Sequence, residues 1–139
     1  MILLTKHLVI YMFALITVTA GQTDTHDITV TIDNLRSNEG KVLIGLYNSE
    51  TDFLSEVFMG KVVSISDNSC TVTFKDVPKG IYAVSYVHDE NDNGKMDTNF
   101  VGIPKEDYGC SNNAKGFMSA PKWEDAKFEL NKTIELFIN

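Results

Sequence analysis

Short stretches in which apolar and polar residues alternate recur along this chain, and they constrain its fold more than any other feature. The run from Ile28 to Asp33 has the period of two that is typical of a half-buried strand. The run from Lys41 to Asn48 is apolar on both faces, which predicts a central strand covered on two sides. Five further runs predict strands: Lys61 to Ser66, Cys70 to Lys75, Ile81 to His88, Ala126 to Leu130 and Ile134 to Ile138.

Turn-forming residues separate these runs, and helical signals are scarce. The clusters Asn38 to Gly40 and Asp67 to Ser69 predict turns. Only Ser49 to Phe58, which begins with a capping box, predicts a short helical turn. About seven strands with one such turn indicate an all-β fold, an antiparallel β-sandwich. The loop Val77 to Gly80, followed by Tyr82, resembles the corresponding part of transthyretin-like sandwiches.

The first 20 residues have the composition of a signal peptide. Lys6 and His7 form a positive start, Leu8 to Val18 is apolar, and Val18-Thr19-Ala20 is a small-residue cleavage site. The apolar run is shorter than the roughly 20 residues that a membrane-spanning helix needs. We therefore expect a secreted or periplasmic protein with one domain, residues 21–139, and no membrane segment after cleavage. An anchor that stays uncleaved is the alternative.

The charge of the chain narrows the classes of partner. Its formal net charge is −7, with 19 acidic and 12 basic residues. Such a balance argues against nucleic acid or an anionic lipid surface as the partner and suits a divalent cation.

Cys70 and Cys110 are the only two cysteines. In an oxidising compartment they can pair in a single bridge. The alternative is that Cys70 acts as a small buried hydrophobe while Cys110 is a free thiol. A structural zinc site is not expected, because the chain has no C-x-x-C motif.

The most specific motif is the stretch from His88 to Asp97. We call Asp89 to Asp97 the acidic loop. It has the oxygen-donor spacing of a calcium-binding loop, and Gly94 permits the sharp turn that such a loop needs. Oxygen-only ligands favour Ca²⁺ over Zn²⁺, and Mg²⁺ is the second choice because it demands a stricter octahedron. The predicted ligands are the side chains of Asp89, Asn91, Asn93 and Asp97 and the backbone carbonyl of Lys95.

A complete calcium site needs more ligands than these. The twelfth position of the loop is Phe100, where a helix-loop-helix calcium site has a bidentate glutamate. Glu106 and Asp107 are the candidates for a further carboxylate. We therefore expect a dissociation constant in the extracellular range of roughly 10⁻⁴–10⁻³ M. The alternative is a polar hairpin loop in which Asn93 and Gly94 form a tight turn.

Regular periodicity is scarce from Asp89 to Pro121, where glycines and prolines interrupt the chain. A segment of this length is usually functional or disordered, and its many apolar residues argue against disorder. A candidate sugar- or peptide-binding surface consists of Tyr108, Ser111, Asn112, Asn113 and Trp123. The alternative is that the amides satisfy backbone groups while the aromatic rings fill the core.

A hydrolase is the weaker hypothesis, and we assign no catalytic residues. His88 adjoins the acidic loop and is a candidate base, but a histidine at a strand end more often serves as a cap. Ser111 lacks the glycines of a nucleophile elbow. Glu90 and Glu106 are candidate glycosidase carboxylates, although surface charge is the commoner reason for such residues.

Several motifs are specific as a set: Gly80 to Tyr82, His88 to Asp97, Val101 to Glu106, Tyr108 to Asn113 and Asp125 to Phe128. Together they resemble a family of small exported bacterial proteins known as domain of unknown function 2141. The resemblance covers about Ile28 to Ile138 and implies a secreted sandwich with a loop similar to a calcium site; it implies no activity. Cys110 stands where similar proteins are expected to have a bulky apolar residue, so the resemblance implies no disulfide.

Overall fold

The computed structural model describes residues 21–139, and its regular secondary-structure elements are almost all β-strands. The predicted signal peptide, residues 1–20, lies outside the described residues. Eight strands follow one another: β1 (Thr25–Ile32), β2 (Lys41–Tyr47), β3 (Met59–Ser64), β4 (Cys70–Pro78), β5 (Gly80–Asp89), β6 (Tyr108–Cys110), β7 (Phe128–Leu130) and β8 (Ile134–Ile138).

The strands form two sheets, which confirms the predicted all-β sandwich. One sheet has the order β4-β1-β8, and the other has the order β3-β2-β5-β6, with β7 also paired to β5. Every pairing is antiparallel except that of β1 with β8, which is parallel. The additional strand is β6, a three-residue strand inside the segment that was predicted to be irregular.

The main hydrophobic core consists of alternate side chains from both sheets. Ile28, Val30 and Ile32 of β1 are fully buried, while Thr29 and Thr31 between them pair with threonines of β4. The inward side chains of β2, β4, β5, β7 and β8 and that of Leu35 complete this cluster. The alternation in the sequence therefore corresponds to an inner and an outer face, as a sandwich requires.

Strand β5 is the centre of the larger sheet and has partners along both edges. One edge pairs with β2, and the other pairs first with β7 and then with β6. Ser111 fills the gap between these two short strands: its buried hydroxyl accepts the N–H of Val84 at 2.9 Å and donates to the carbonyl of Ala126 at 2.6 Å. Nearer the end of β5, the His88 N–H donates to the carbonyl of Asp107 at 2.8 Å, which ties the strand to the residue before β6 at the point where the acidic loop begins.

A second, smaller hydrophobic cluster covers the outer face of this sheet. Its members include Tyr47, Cys110 and Trp123, and the ring of Phe53 packs edge-on against the two aromatic rings. Phe53 comes from the predicted helical turn, residues 49–58. That segment has one α-type hydrogen bond and is otherwise a series of turns, because Leu54 has a positive φ of 62°.

The α-helix of the described chain lies elsewhere, at α1 (Trp123–Ala126), and spans four residues. No apolar periodicity or capping box in the sequence predicted this helix. Its residues Trp123 and Ala126 are buried against the outer face of the larger sheet. Within residues 21–139, no helix has the length and apolar character needed to cross a bilayer.

Cys70 and Cys110 are both buried and are not bonded to each other. Cys70 belongs to the main core and Cys110 to the second cluster, so the bridge that the sequence left open is not formed. Burial raises the pKa of each thiol to about 11.

We predict that neither thiol reacts readily in the folded protein. At pH 8, a thiol with a pKa of about 11 has a thiolate fraction more than about a hundredfold below that of an exposed cysteine, and burial restricts access further. Titration with Ellman's reagent should find both thiols slow in buffer and both fast in guanidinium chloride. Rapid reaction of either thiol without denaturant would contradict the burial described.

Candidate metal site

The acidic loop begins at Asp89, the last residue of β5, whose side chain is fully buried. Its carboxylate accepts the backbone N–H groups of Asn93 at 3.0 Å and of Gly94 at 2.7 Å. Gly94 has a φ of +79°, in the left-handed region that favours glycine. The loop therefore wraps around the Asp89 carboxylate, and the predicted sharp turn at Gly94 is present.

Three of the predicted ligands meet on the outer side of the loop. The Asn93 side-chain amide donates to both carboxylate oxygens of Asp97, at 2.9 and 3.0 Å, and the Asn91 amide donates to the same carboxylate. These hydrogen bonds are the main reason why the pKa of Asp97 is lowered; burial opposes them, and the nearby charges of Lys95 and Lys105 add to the lowering. The Asp97 carboxylate is thus the common acceptor of the Asn91 and Asn93 amides.

The fifth predicted ligand, the carbonyl of Lys95, belongs to the same turn. The Lys95 N–H donates to the side-chain oxygen of Asn93 at 3.1 Å, as the Asn93 N–H does to that of Asn91 at 3.2 Å. The alternating asparagines therefore fold the backbone locally through their oxygens, which is also the chemistry of the polar-turn alternative.

Glu106, a candidate further ligand, joins the two ends of the loop. Its carboxylate is largely buried and accepts the N–H of Glu90 at 3.2 Å and that of Asp97 at 3.0 Å. Asp107, the other candidate, has its carboxylate 3.6 Å from Arg36 Nε. Glu106 therefore closes the loop, while Asp107 is engaged with a cation on the connection between β1 and β2.

Arg36 is a residue of this site that sequence reasoning missed. Its guanidinium donates two hydrogen bonds to the carboxylate of Glu90, at 2.8 and 3.0 Å, and a third to the carbonyl of Lys105 at 3.0 Å. The bond from Arg36 is the main reason why the pKa of Glu90 is lowered. Since 54 residues separate Arg36 from Glu90, no local spacing could reveal this contact.

The same connection contacts the start of the loop through Glu39 and Gly40. Gly40 has a φ of +68°, and a Cβ at this position would lie 1.9 Å from the carbonyl oxygen of Asp89, so only glycine fits. His88 is fully buried, with Nε2 2.9 Å from the carbonyl of Glu39. The candidate base of the hydrolase hypothesis is thus packed against the backbone.

The residues of the candidate sugar- or peptide-binding surface do not form one exposed group. Tyr108 is exposed, whereas Ser111 and Trp123 are buried. Asn112 donates to the carbonyls of Asp125 and Lys127, and Asn113 accepts the N–H of Asn139. The amides therefore satisfy backbone groups, and the tryptophan ring fills the second cluster.

The chemistry of the acidic loop depends on its asparagines. Among residues 21–139, no group of three or more His, Cys, Asp and Glu side chains is placed to hold a metal ion. A cation in this loop would therefore need the amide oxygens of Asn91 and Asn93 beside the two aspartates. Such a set is all oxygen, which suits a hard cation of the Ca²⁺ type.

Comparison with known proteins matches the chain to a family model. The family model described as "uncharacterized protein conserved in bacteria (DUF2141)" matches residues 30–136, which include the whole of the acidic loop. No curated protein and no solved structure matches the chain.

We predict that the low pKa of Asp97 depends on Asn93. Because the folded-state pKa is lowered, the Asp97 carboxylate favours the folded state above its unfolded pKa of about 3.9, and this contribution is lost as the pH falls through the folded pKa. Asn93→Ala should raise the pKa of Asp97 towards its ordinary value, as read from the carboxyl ¹³C shift against pH. The matched control is Asn131→Ala in the exposed turn after β7; an unchanged Asp97 pKa in Asn93→Ala would refute the assignment.

Proposed function

The chain belongs to DUF2141, a family of uncharacterized proteins conserved in bacteria, and we propose that this member is an exported β-sandwich whose acidic loop binds Ca²⁺. The observation that carries the proposal is the convergence of Asn91 and Asn93 on the carboxylate of Asp97. Export to the periplasm or the medium is supported by the signal-like composition of residues 1–20.

The side-chain amides of Asn91 and Asn93 decide whether the acidic loop is a cation site or only a polar turn. Each amide presents its nitrogen to Asp97 while its oxygen accepts a backbone N–H. Half a rotation about the Cβ–Cγ bond would present the oxygen to Asp97 instead, and the cation would replace the backbone hydrogen bond that is given up. Two amide oxygens facing a carboxylate repel one another unless a positive ion lies between them. A divalent cation therefore favours the rotamers in which the amide oxygens face Asp97. Without the cation, the amide N–H groups face Asp97 and donate to it.

The charge and the number of ligands suit calcium with weak affinity. Asp89 and Asp97 together supply two negative charges, which neutralise one divalent ion. Asp89 is held in position by two backbone N–H groups, while Glu106 already accepts two others and does not act as a free bidentate ligand. Because the site lacks a bidentate glutamate, these contacts support the expected dissociation constant of roughly 10⁻⁴–10⁻³ M.

Bound calcium would stabilise the segment that follows the loop. The carbonyl of Asp97 accepts the N–H of Lys105 at 2.8 Å, and Thr98 pairs with Pro104 just beyond. Residues 99–103 therefore form a small projection whose base is the acidic loop. A cation bound to Asp97 would hold the residues from which this projection starts, and we assign this structural role to the ion.

We predict that about 1 mM Ca²⁺ raises the melting temperature of a chain beginning at Gly21 by a few degrees. At the expected affinity the stabilisation is about 0.4–1.4 kcal/mol. Scanning calorimetry in chelator, Ca²⁺ and Mg²⁺ should show the largest rise with Ca²⁺.

The matched variants for this experiment are Asp97→Asn and Asp125→Asn. Asp97→Asn removes one of the two negative charges of the site and should abolish most of the rise, whereas Asp125→Asn removes an exposed carboxylate of α1 and should keep it. If several millimolar Ca²⁺ leaves the melting temperature of the parent unchanged, the metal site does not exist.

A further inference from the structure

Two neighbouring segments expose large apolar side chains to an unusual degree. We call Thr98–Lys105 and Ala114–Trp123 the apolar loops. They border a common cavity of about 490 Å³. Phe100, Phe117 and Met118 are 99%, 91% and 94% exposed, and Val101 and Ile103 are also exposed. A concentration of this kind on a soluble domain marks an interaction surface.

The backbone of the apolar loops is ordered, although their side chains project outward. The side-chain oxygen of Asn99 accepts the N–H groups of Val101 at 3.0 Å and Ile103 at 2.9 Å, and the Asn99 N–H donates to the Ile103 carbonyl. In the second loop, a Cβ on Gly116 would lie 1.8 Å from the carbonyl of Ser119, so the chain folds tightly there. The apolar tips are therefore held away from the body of the domain.

The charge of the apolar loops is opposite to that of the rest of the protein. They contain Lys105, Lys115 and Lys122 and no aspartate or glutamate. Since the whole chain carries −7 and these loops carry +3, all other residues together carry −10. The net charge argued against an anionic surface as partner, but it is the local charge that a docking partner meets.

We propose that the apolar loops dock on the surface of an anionic lipid bilayer. Phenylalanine and methionine side chains at the tips enter the boundary between headgroups and acyl chains, and Lys115 and Lys122 contact the lipid phosphates. A second copy of the chain is a poorer occupant, because a two-fold interface places the same patch on both sides and would bring lysines against lysines. The proposal does not depend on calcium.

Vesicle co-sedimentation tests the proposal. The chain used begins at Gly21, because residues 8–18 are apolar and would bind lipid on their own, and because all eight strands and both hydrophobic clusters described lie within residues 21–139. Vesicles of phosphatidylcholine with roughly one third phosphatidylglycerol should bind it at least tenfold better than phosphatidylcholine alone.

Two pairs of variants separate the apolar and the charged contributions. The triple variant Phe100→Ser, Phe117→Ser, Met118→Ser should lose binding, while Phe137→Ser, an exposed phenylalanine on the other sheet, should keep it. Lys115→Glu with Lys122→Glu should weaken binding at least tenfold, and Lys75→Glu with Lys132→Glu should not. Melting curves check that each variant is folded. We expect all of them to fold, because the substituted side chains are exposed.

Three outcomes would overturn the proposal. One is that the parent fails to sediment with either kind of vesicle. Another is that the folded triple variant or the charge-reversed variant sediments as well as the parent. The third is that the parent forms a dimer without lipid and the triple variant is monomeric, which would assign the apolar loops to a second copy.

Discussion

The buried carboxylate of Asp89 is the group on which the arrangement of the acidic loop depends. A buried carboxylate is costly unless it is hydrogen-bonded, and here two backbone N–H groups from the next turn satisfy it. This requirement sets the path of the chain from β5 through Gly94. The loop end is then tied back by Glu106, another largely buried carboxylate with two N–H donors. The same few residues thus define both the turn and the candidate ion site.

The strands and the acidic loop were predictable from sequence because both are local patterns. Alternation revealed β1 and β8, runs that are apolar on both faces revealed β2 and β5, and donor spacing revealed the loop, including the positive φ of Gly94. The contacts that hold the loop in place were not predictable, since Arg36 reaches Glu90 from another part of the chain. Trp123 illustrates the same limit: its aromatic character is evident in the sequence, but only the packing against Phe53 decides that it is buried.

Short elements also escaped prediction, for a physical reason. Strand β6 and helix α1 have three and four residues, too few to show a period. What stabilises them is tertiary: β6 completes the edge of β5, and Ser111 links that edge to α1 through one hydroxyl group. The net charge of −7 is an average over the whole chain, so it does not reveal that the apolar loops contain three lysines and no carboxylate.

The parallel pairing of β1 with β8 brings together the two ends of the described chain. Ile28 lies beside Ile134, and Ile32 lies beside Ile138. Until β8 pairs with β1, one edge of β1 has no hydrogen-bonding partner, and Ile28 and Ile32 lack their neighbours Ile134 and Ile138. Closure of the smaller sheet therefore depends on a contact between segments about 100 residues apart, which places it among the slow, late steps of folding.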